Sequence, residues 1–126
     1  MILGVGIDLV DVARAERMLA QKGERALARL CTEREGDYVR AHPAGAASFA
    51  ARLAAKEAAY KALAGSEEAR GMGWRDVEVE RASDGRPTLL LTGKALSRAN
   101  TLGVKRVHVS LTHTHTSAAA VVILEG

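Results

Sequence analysis

Between residues 46 and 64 the sequence reads AASFAARLAAKEAAYKALA, closed by Gly65. Alanine is the strongest helix former, and nothing inside the run breaks a helix, so the spacing predicts one long helix. At ~100° per residue, Phe49, Leu53, Tyr60 and Leu63 fall within a stripe about 80° wide. Ala50, Ala54, Ala58 and Ala62 add little bulk, which lets the backbone of another element come close. A fold built on this helix therefore packs main chain against main chain. Hydrophobic residues are 48% of the chain and aromatics only 3%, so small and branched aliphatics must form the core.

The rest of the chain supplies the partners. Residues 1–10, MILGVGIDLV, alternate glycine with branched aliphatics and read as a buried strand. Asp11 is placed to cap a helix over residues 12–21. Lys22-Gly23 interrupts it, and a short helix covers residues 24–30. Thr32-Glu33-Arg34-Glu35 has the capping-box pattern and opens another helix, which ends at His42-Pro43 and Gly45. The stretch from Gly65 to Gly73 reads as a polar, glycine-rich, mobile loop. Residues 76–81 and 87–92 alternate as strands around the turn Ser83-Asp84-Gly85-Arg86. A helix over residues 93–102 closes at Gly103, and strands follow over residues 105–114 and 117–124. The expectation is an α+β fold, a single small domain over residues 1–126 with helices packed on a mainly antiparallel sheet.

Composition narrows the functional classes. Cys31 is the single cysteine, so no intrachain disulfide forms, which fits a reducing compartment. Its neighbours read as an ordinary helix end, which makes it a small buried hydrophobe rather than a nucleophile. The apolar start is too short to span a membrane and lacks a signal-peptide layout. A cytoplasmic protein with no membrane partner is expected. The net charge of +3 suits an acidic partner or a phosphorylated ligand. No basic block is interleaved with aromatics, so no nucleic-acid partner is expected.

Several polar residues sit where chemistry is plausible on physical grounds. Asp8 breaks an apolar strand, and a buried carboxylate is costly unless it is paired, hydrogen-bonded or metal-bound. Glu57 and Lys61 lie four apart on the long helix, at the border of its apolar stripe, with Arg52 on the other flank. Lys56 falls near the centre of the stripe, where a charge needs a partner. Two carboxylates with no third acid in their motifs suit a hard, partly hydrated cation such as Mg2+, which binds one or two carboxylates plus substrate phosphates. In the run RVHVSLTHTHTS, His113 and His115 alternate as if on one strand face. A His-x-His pair is a transition-metal motif that needs a third ligand, and His108 has the opposite parity.

Three segments, taken in order, carry a resemblance. GVGIDLVDVARAERM at residues 4–18, FAARLAAKEAAYKAL at residues 49–63 and VHVSLTHT at residues 107–114 resemble the holo-acyl-carrier-protein synthase family of small bacterial phosphopantetheinyl transferases. The resemblance implies an α+β homotrimer with active sites at subunit interfaces. It implies transfer of the 4′-phosphopantetheine arm of coenzyme A to a serine of apo acyl carrier protein, in support of fatty-acid biosynthesis. Asp8 and Glu57 match the Mg2+ ligands, and Lys61 matches the basic residue on the pyrophosphate. Arg52, Pro87, His113 and Thr114 match coenzyme A contacts, with His113 reaching across from a neighbouring subunit. The serine comes from the partner, so the chain needs only a base, expected to be Asp8 or Glu57 acting through a water. Arg14, Arg17 and Arg25 would meet the acidic carrier protein, with Met18 as apolar anchor. The resemblance leaves His115 without a role. It also fails over residues 64–74, where relatives carry a Gly-Thr-Gly turn. Two other readings remain beside it: a His-x-His metal-binding domain, and a non-catalytic module that binds an acidic protein.

Overall fold

The computed structural model describes residues 1–65 and 70–126. Along the chain run β1 (Ile2–Asp11), α1 (Val12–Lys22), α2 (Glu24–Leu30), α3 (Glu33–Ala41) and α4 (Gly45–Leu63). A 3-10 turn (Trp74–Asp76), β2 (Val77–Arg81), β3 (Pro87–Leu91), α5 (Gly93–Leu102), β4 (Arg106–His113) and β5 (Ser117–Glu125) follow. β1, β5 and β4 form an antiparallel sheet in that order, and β2 pairs with β3 as a separate antiparallel hairpin. The architecture is α+β, as the sequence predicts. Among the described residues no helix is long and apolar enough to cross a membrane.

The expected apolar stripe on α4 is not what forms. Phe49, Leu53 and Leu63 are buried, but so are Ala51, Ala55 and Ala59 from other sides of the helix. A helix covered on nearly all sides is a central element rather than an amphipathic one. Alanine makes this work, because neighbours close in from every direction. The closest approach is to β1. A Cβ at Gly6 would overlap the Ala58 carbonyl oxygen, and one at Gly4 the Ala62 carbonyl oxygen. Glycine is required at both places by contact between backbones.

β1 departs from the expected buried strand. Gly6 and Val10 are buried, but Val5, Ile7 and Leu9 are 56%, 67% and 66% exposed. α4 covers only one face of the sheet. Alternation sends the other side chains outward, where they meet Ala119, Val121 and Ile123 of β5 through the pairs Val5–Ile123, Ile7–Val121 and Leu9–Ala119.

Lys56 finds its partners inside. It is fully buried and its Nζ donates to Glu35 Oε1 at 2.7 Å, to the Trp74 carbonyl at 2.9 Å and to the Val77 carbonyl. Glu35 in turn accepts from the Thr32 amide at 2.9 Å and the Val79 amide at 3.0 Å. The Thr32–Glu35 capping box predicted for α3 is therefore also one end of an ion-pair network joining α3, α4 and β2. Asp11 occupies the cap position of α1 but makes no side-chain capping bond. Residues 66–69 of the expected mobile loop lie outside the described residues. Beyond them, Tyr60 Oη donates to the Gly73 carbonyl, and its ring meets Trp74 edge-on at 5.6 Å.

Candidate active site

The predicted residues gather on two sides of α4. On one side, Lys61 Nζ lies 3.0 Å from Asp8 Oδ1 and 3.0 Å from the Ile7 carbonyl. Asp8 is nearly covered, with its side chain 12% exposed, whereas that of Lys61 is 56% exposed. The glycine crossing sets this up: it fixes β1 against α4, so Asp8 comes within reach of Lys61. Glu57 stands one turn before Lys61, half-buried, and makes no hydrogen bond or ion pair among the described residues.

Glu57 also lines a groove of about 470 Å³ between α1, α2 and α4. Arg14, Met18 and Arg25 line it too, so three of the four predicted docking residues come together around a carboxylate. Arg17 is exposed and does not line it. Lys22, Arg29 and Trp74 belong to the groove and escaped the sequence reading. Arg29 carried a signal, since it follows Arg25 by four on the same helix face. Trp74 carried none, because no local periodicity ties it to α4.

On the other side, Arg52, Pro87 and His113 line a cavity of about 320 Å³. Arg52 is only 5% exposed. Its Nη1 donates to Ser48 Oγ at 2.6 Å, and its guanidinium carbon lies 4.4 Å from the centre of the Tyr38 ring. Its Nε is buried without a hydrogen-bond partner among the described residues. Burial pulls the Arg52 guanidinium below the ordinary arginine value; Glu35 opposes this and Arg81 adds to it. Arg52 and Lys61 are nine residues apart, about 180° around the helix at ~100° per residue. The two side chains therefore leave the helix on opposite sides, and neither Asp8, Glu57 nor Lys61 lines the cavity around Arg52, Pro87 and His113.

The histidine pair is not a strand pair. β4 ends at His113, and His115 lies in the following turn. Thr114 shapes that turn: its Oγ1 accepts from the Thr116 amide at 3.2 Å and the Ser117 amide at 3.1 Å. His113, Thr114 and His115 share the wall of a further cavity with Glu16. His108 faces the other way and pairs with Glu125 at 3.1 Å. The described residues contain no group of three His, Cys, Asp or Glu side chains able to hold a metal ion, so the His-x-His reading lacks its third ligand.

A family model described as the 4'-phosphopantetheinyl transferase superfamily matches residues 4–122. The chain belongs to this superfamily. The transferase is 50% identical over 129 residues to the holo-[acyl-carrier-protein] synthase of Anaeromyxobacter sp. (strain K), covering 100% of this chain and 98% of the relative. Among solved structures, it resembles the holo-(acyl-carrier-protein) synthase of Bacillus anthracis str. Ames in complex with CoA (3',5'-ADP), with 30% identity, a TM-score of 0.77 and coverage of 98% and 96% of the two chains. The enzyme from Neisseria meningitidis shares its fold, with 24% identity and a TM-score of 0.87 over 100% of both chains. The transferase is an enzyme of the holo-acyl-carrier-protein synthase type.

Proposed function

We propose that the transferase moves the 4′-phosphopantetheine arm of coenzyme A to a serine of apo acyl carrier protein, supporting fatty-acid biosynthesis, as a Mg2+-dependent cytoplasmic homotrimer. The observation that carries this is the place of Glu57. It is a carboxylate without a hydrogen bond or ion pair among the described residues, set in a basic groove one turn from the lysine that holds Asp8. The coenzyme complex of the Bacillus anthracis relative supports the choice of donor.

Asp8 and Glu57 fit Mg2+. Both present hard carboxylate oxygens, and Glu57 has no competing partner among the described residues. When bound, the ion supplies charge neutralisation on the pyrophosphate. Lys61 donates to phosphate oxygens as negative charge grows on them. The carrier serine forms its bond to the pantetheine-bearing phosphorus, the bond to the bridging oxygen breaks, and adenosine 3′,5′-bisphosphate departs. The serine proton passes through a water to Asp8 or Glu57.

Two features support the trimer. The outward sheet face of Val5, Ile7, Leu9, Val121 and Ile123 is an apolar surface that a single chain leaves in water. The split around α4 makes one chain half a site. A neighbour packed by that face would bring Arg52, Pro87, His113 and Thr114 to the coenzyme held at Asp8, Glu57 and Lys61. The carrier protein, an acidic helical bundle, docks over Arg14, Arg25 and Arg29 with Met18 as its apolar anchor, and Arg17 adds charge at the flank. The test is intact-mass spectrometry of apo acyl carrier protein incubated with the transferase, coenzyme A and Mg2+. The expected result is a gain of one phosphopantetheine arm, abolished by chelator and by Glu57→Gln. A folded sample that modifies no carrier protein would overturn the reading.

A further inference from the structure

The last turn of α4 is held by β1 and by α5, and α5 supplies no residue to the site. Lys61 reaches Asp8 and the Ile7 carbonyl on β1, and the Ala62 carbonyl oxygen lies against Gly4. The next two residues turn to α5. Arg98 Nε donates to the Leu63 carbonyl at 2.8 Å, and its Nη2 donates to the Ala64 carbonyl at 3.2 Å. Arg98 is half-buried, and its helix neighbours Ala95 and Ala99 are buried, so the root of the side chain is fixed. A helix leaves its last four carbonyls without an intrahelical partner. α5 closes its own end with the left-handed Gly103, whose amide returns to the Ala99 and Asn100 carbonyls. Ala64, at the same place on α4, is extended at φ −61° and ψ 170°, and its amide reaches the Lys61 carbonyl at 3.4 Å, a long bond. The Arg98 guanidinium meets two carbonyls at once and sets a cation at the negative end of the helix dipole.

An uncapped last turn frays, and this last turn carries Lys61. The Lys61 side chain is 56% exposed, so little packing around it fixes its direction. Its aim toward Asp8 depends on the main chain beneath it. Misplacing a reacting contact by about an ångström is enough to slow a reaction severely. We propose that Arg98 is a positioning residue. By clamping the Leu63 and Ala64 carbonyls it holds the end of α4, so that Lys61 keeps its reach to Asp8 and to the phosphate oxygens of the coenzyme. Arg98 acts through the helix rather than by touching the coenzyme. This rests on the reading of Lys61 as a donor to those oxygens.

The test compares the wild type with Arg98→Ala and Arg98→Lys, and repeats Arg98→Ala on a Lys61→Ala background. Calorimetric titration with adenosine 3′,5′-bisphosphate counts the intact sites in each sample. Transfer from coenzyme A to apo acyl carrier protein is then expressed per intact site. Arg98→Ala should keep the site count and lower kcat about tenfold, with smaller changes in both KM values. Arg98→Lys, able to reach one carbonyl, should recover part of the loss. On the Lys61→Ala background, Arg98→Ala should cost nothing more, because the residue it positions is gone. A fall in site count that accounts for the fall in rate would make Arg98 a purely structural residue and overturn the proposal. So would an unchanged kcat, a loss confined to KM, or losses that multiply in the double variant. Each of these outcomes leaves the transferase reading standing. A wild type that modifies no carrier protein overturns that reading, and this role with it.

Discussion

Arg52 and Lys61 leave opposite sides of α4, one lying 4.4 Å from the Tyr38 ring centre and the other bonded to Asp8 at 3.0 Å. If both serve one reaction, they serve it from different copies of the chain. Arg52→Ala and Lys61→Ala variants, each impaired alone, should therefore complement when co-refolded. Random mixing in a ring of three gives both intact halves at about a quarter of the sites. Transfer activity should recover toward that level in the mixture. A mixture no better than its two components would place both residues in one chain's site, or outside the site altogether.

The buried ion pair yields a stability prediction. Lys56 and Glu35 are both fully covered, and Lys56 also anchors the carbonyls of Trp74 and Val77. Removing one partner strands the other charge, so Glu35→Gln and Lys56→Met should each cost about 3–5 kcal/mol. The double variant should cost clearly less than the sum. Urea unfolding of the four proteins measures this, and strict additivity would mean that the two groups do not interact.

Cys31 gives a pH signature. Burial, with Glu35 adding to it, pushes its thiol from 9.0 up to about 11. The unfolded thiol loses its proton first, so the native state holds the proton that the unfolded state has released. Stability from this source is complete below about pH 9 and is lost as pH rises through about 11, by about 3 kcal/mol in all. Cys31→Ala should flatten the fall in urea midpoint across that interval. An unchanged slope would assign the loss to other groups, of which Tyr60, also raised by burial, is the first to test.

The basic groove makes a kinetic prediction. Arg29 lines it together with Arg25 and Glu57, four residues after Arg25 on the same helix face. Arg29→Glu should raise KM for the acyl carrier protein about tenfold and leave that for coenzyme A unchanged, with the difference shrinking as salt is added. Steady-state kinetics at low and high ionic strength decide this. A change confined to kcat would take Arg29 out of docking.

Where the sequence could be read and where it could not follows from range. The helices, the hairpin and the Thr32 cap are set within a few residues, and they appear close to where the spacing puts them. Asp8, Glu57 and Lys61 stood out as charges bordering apolar runs, and Asp8 does meet Lys61. Lys56 resisted explanation because its partner, Glu35, lies on another helix 21 residues away. The exposed face of β1 was misread because an apolar strand does not say how many of its faces the rest of the chain covers. The division of the site around α4 needed only the helical angle between Arg52 and Lys61. What was missing was knowledge of which elements occupy each side.

Gly4 and Gly6 carry a consequence for how sequences of this kind can drift. The spacing of β1 from α4 is set where peptide oxygens meet α-carbons, with no side chain in between. Aliphatic residues elsewhere in the interior can exchange volume without altering that gauge. The distance from Asp8 to Lys61 is thus insulated from most neutral substitution. A lineage can rewrite much of its interior and keep the same chemistry, provided it never adds a methyl group at either glycine.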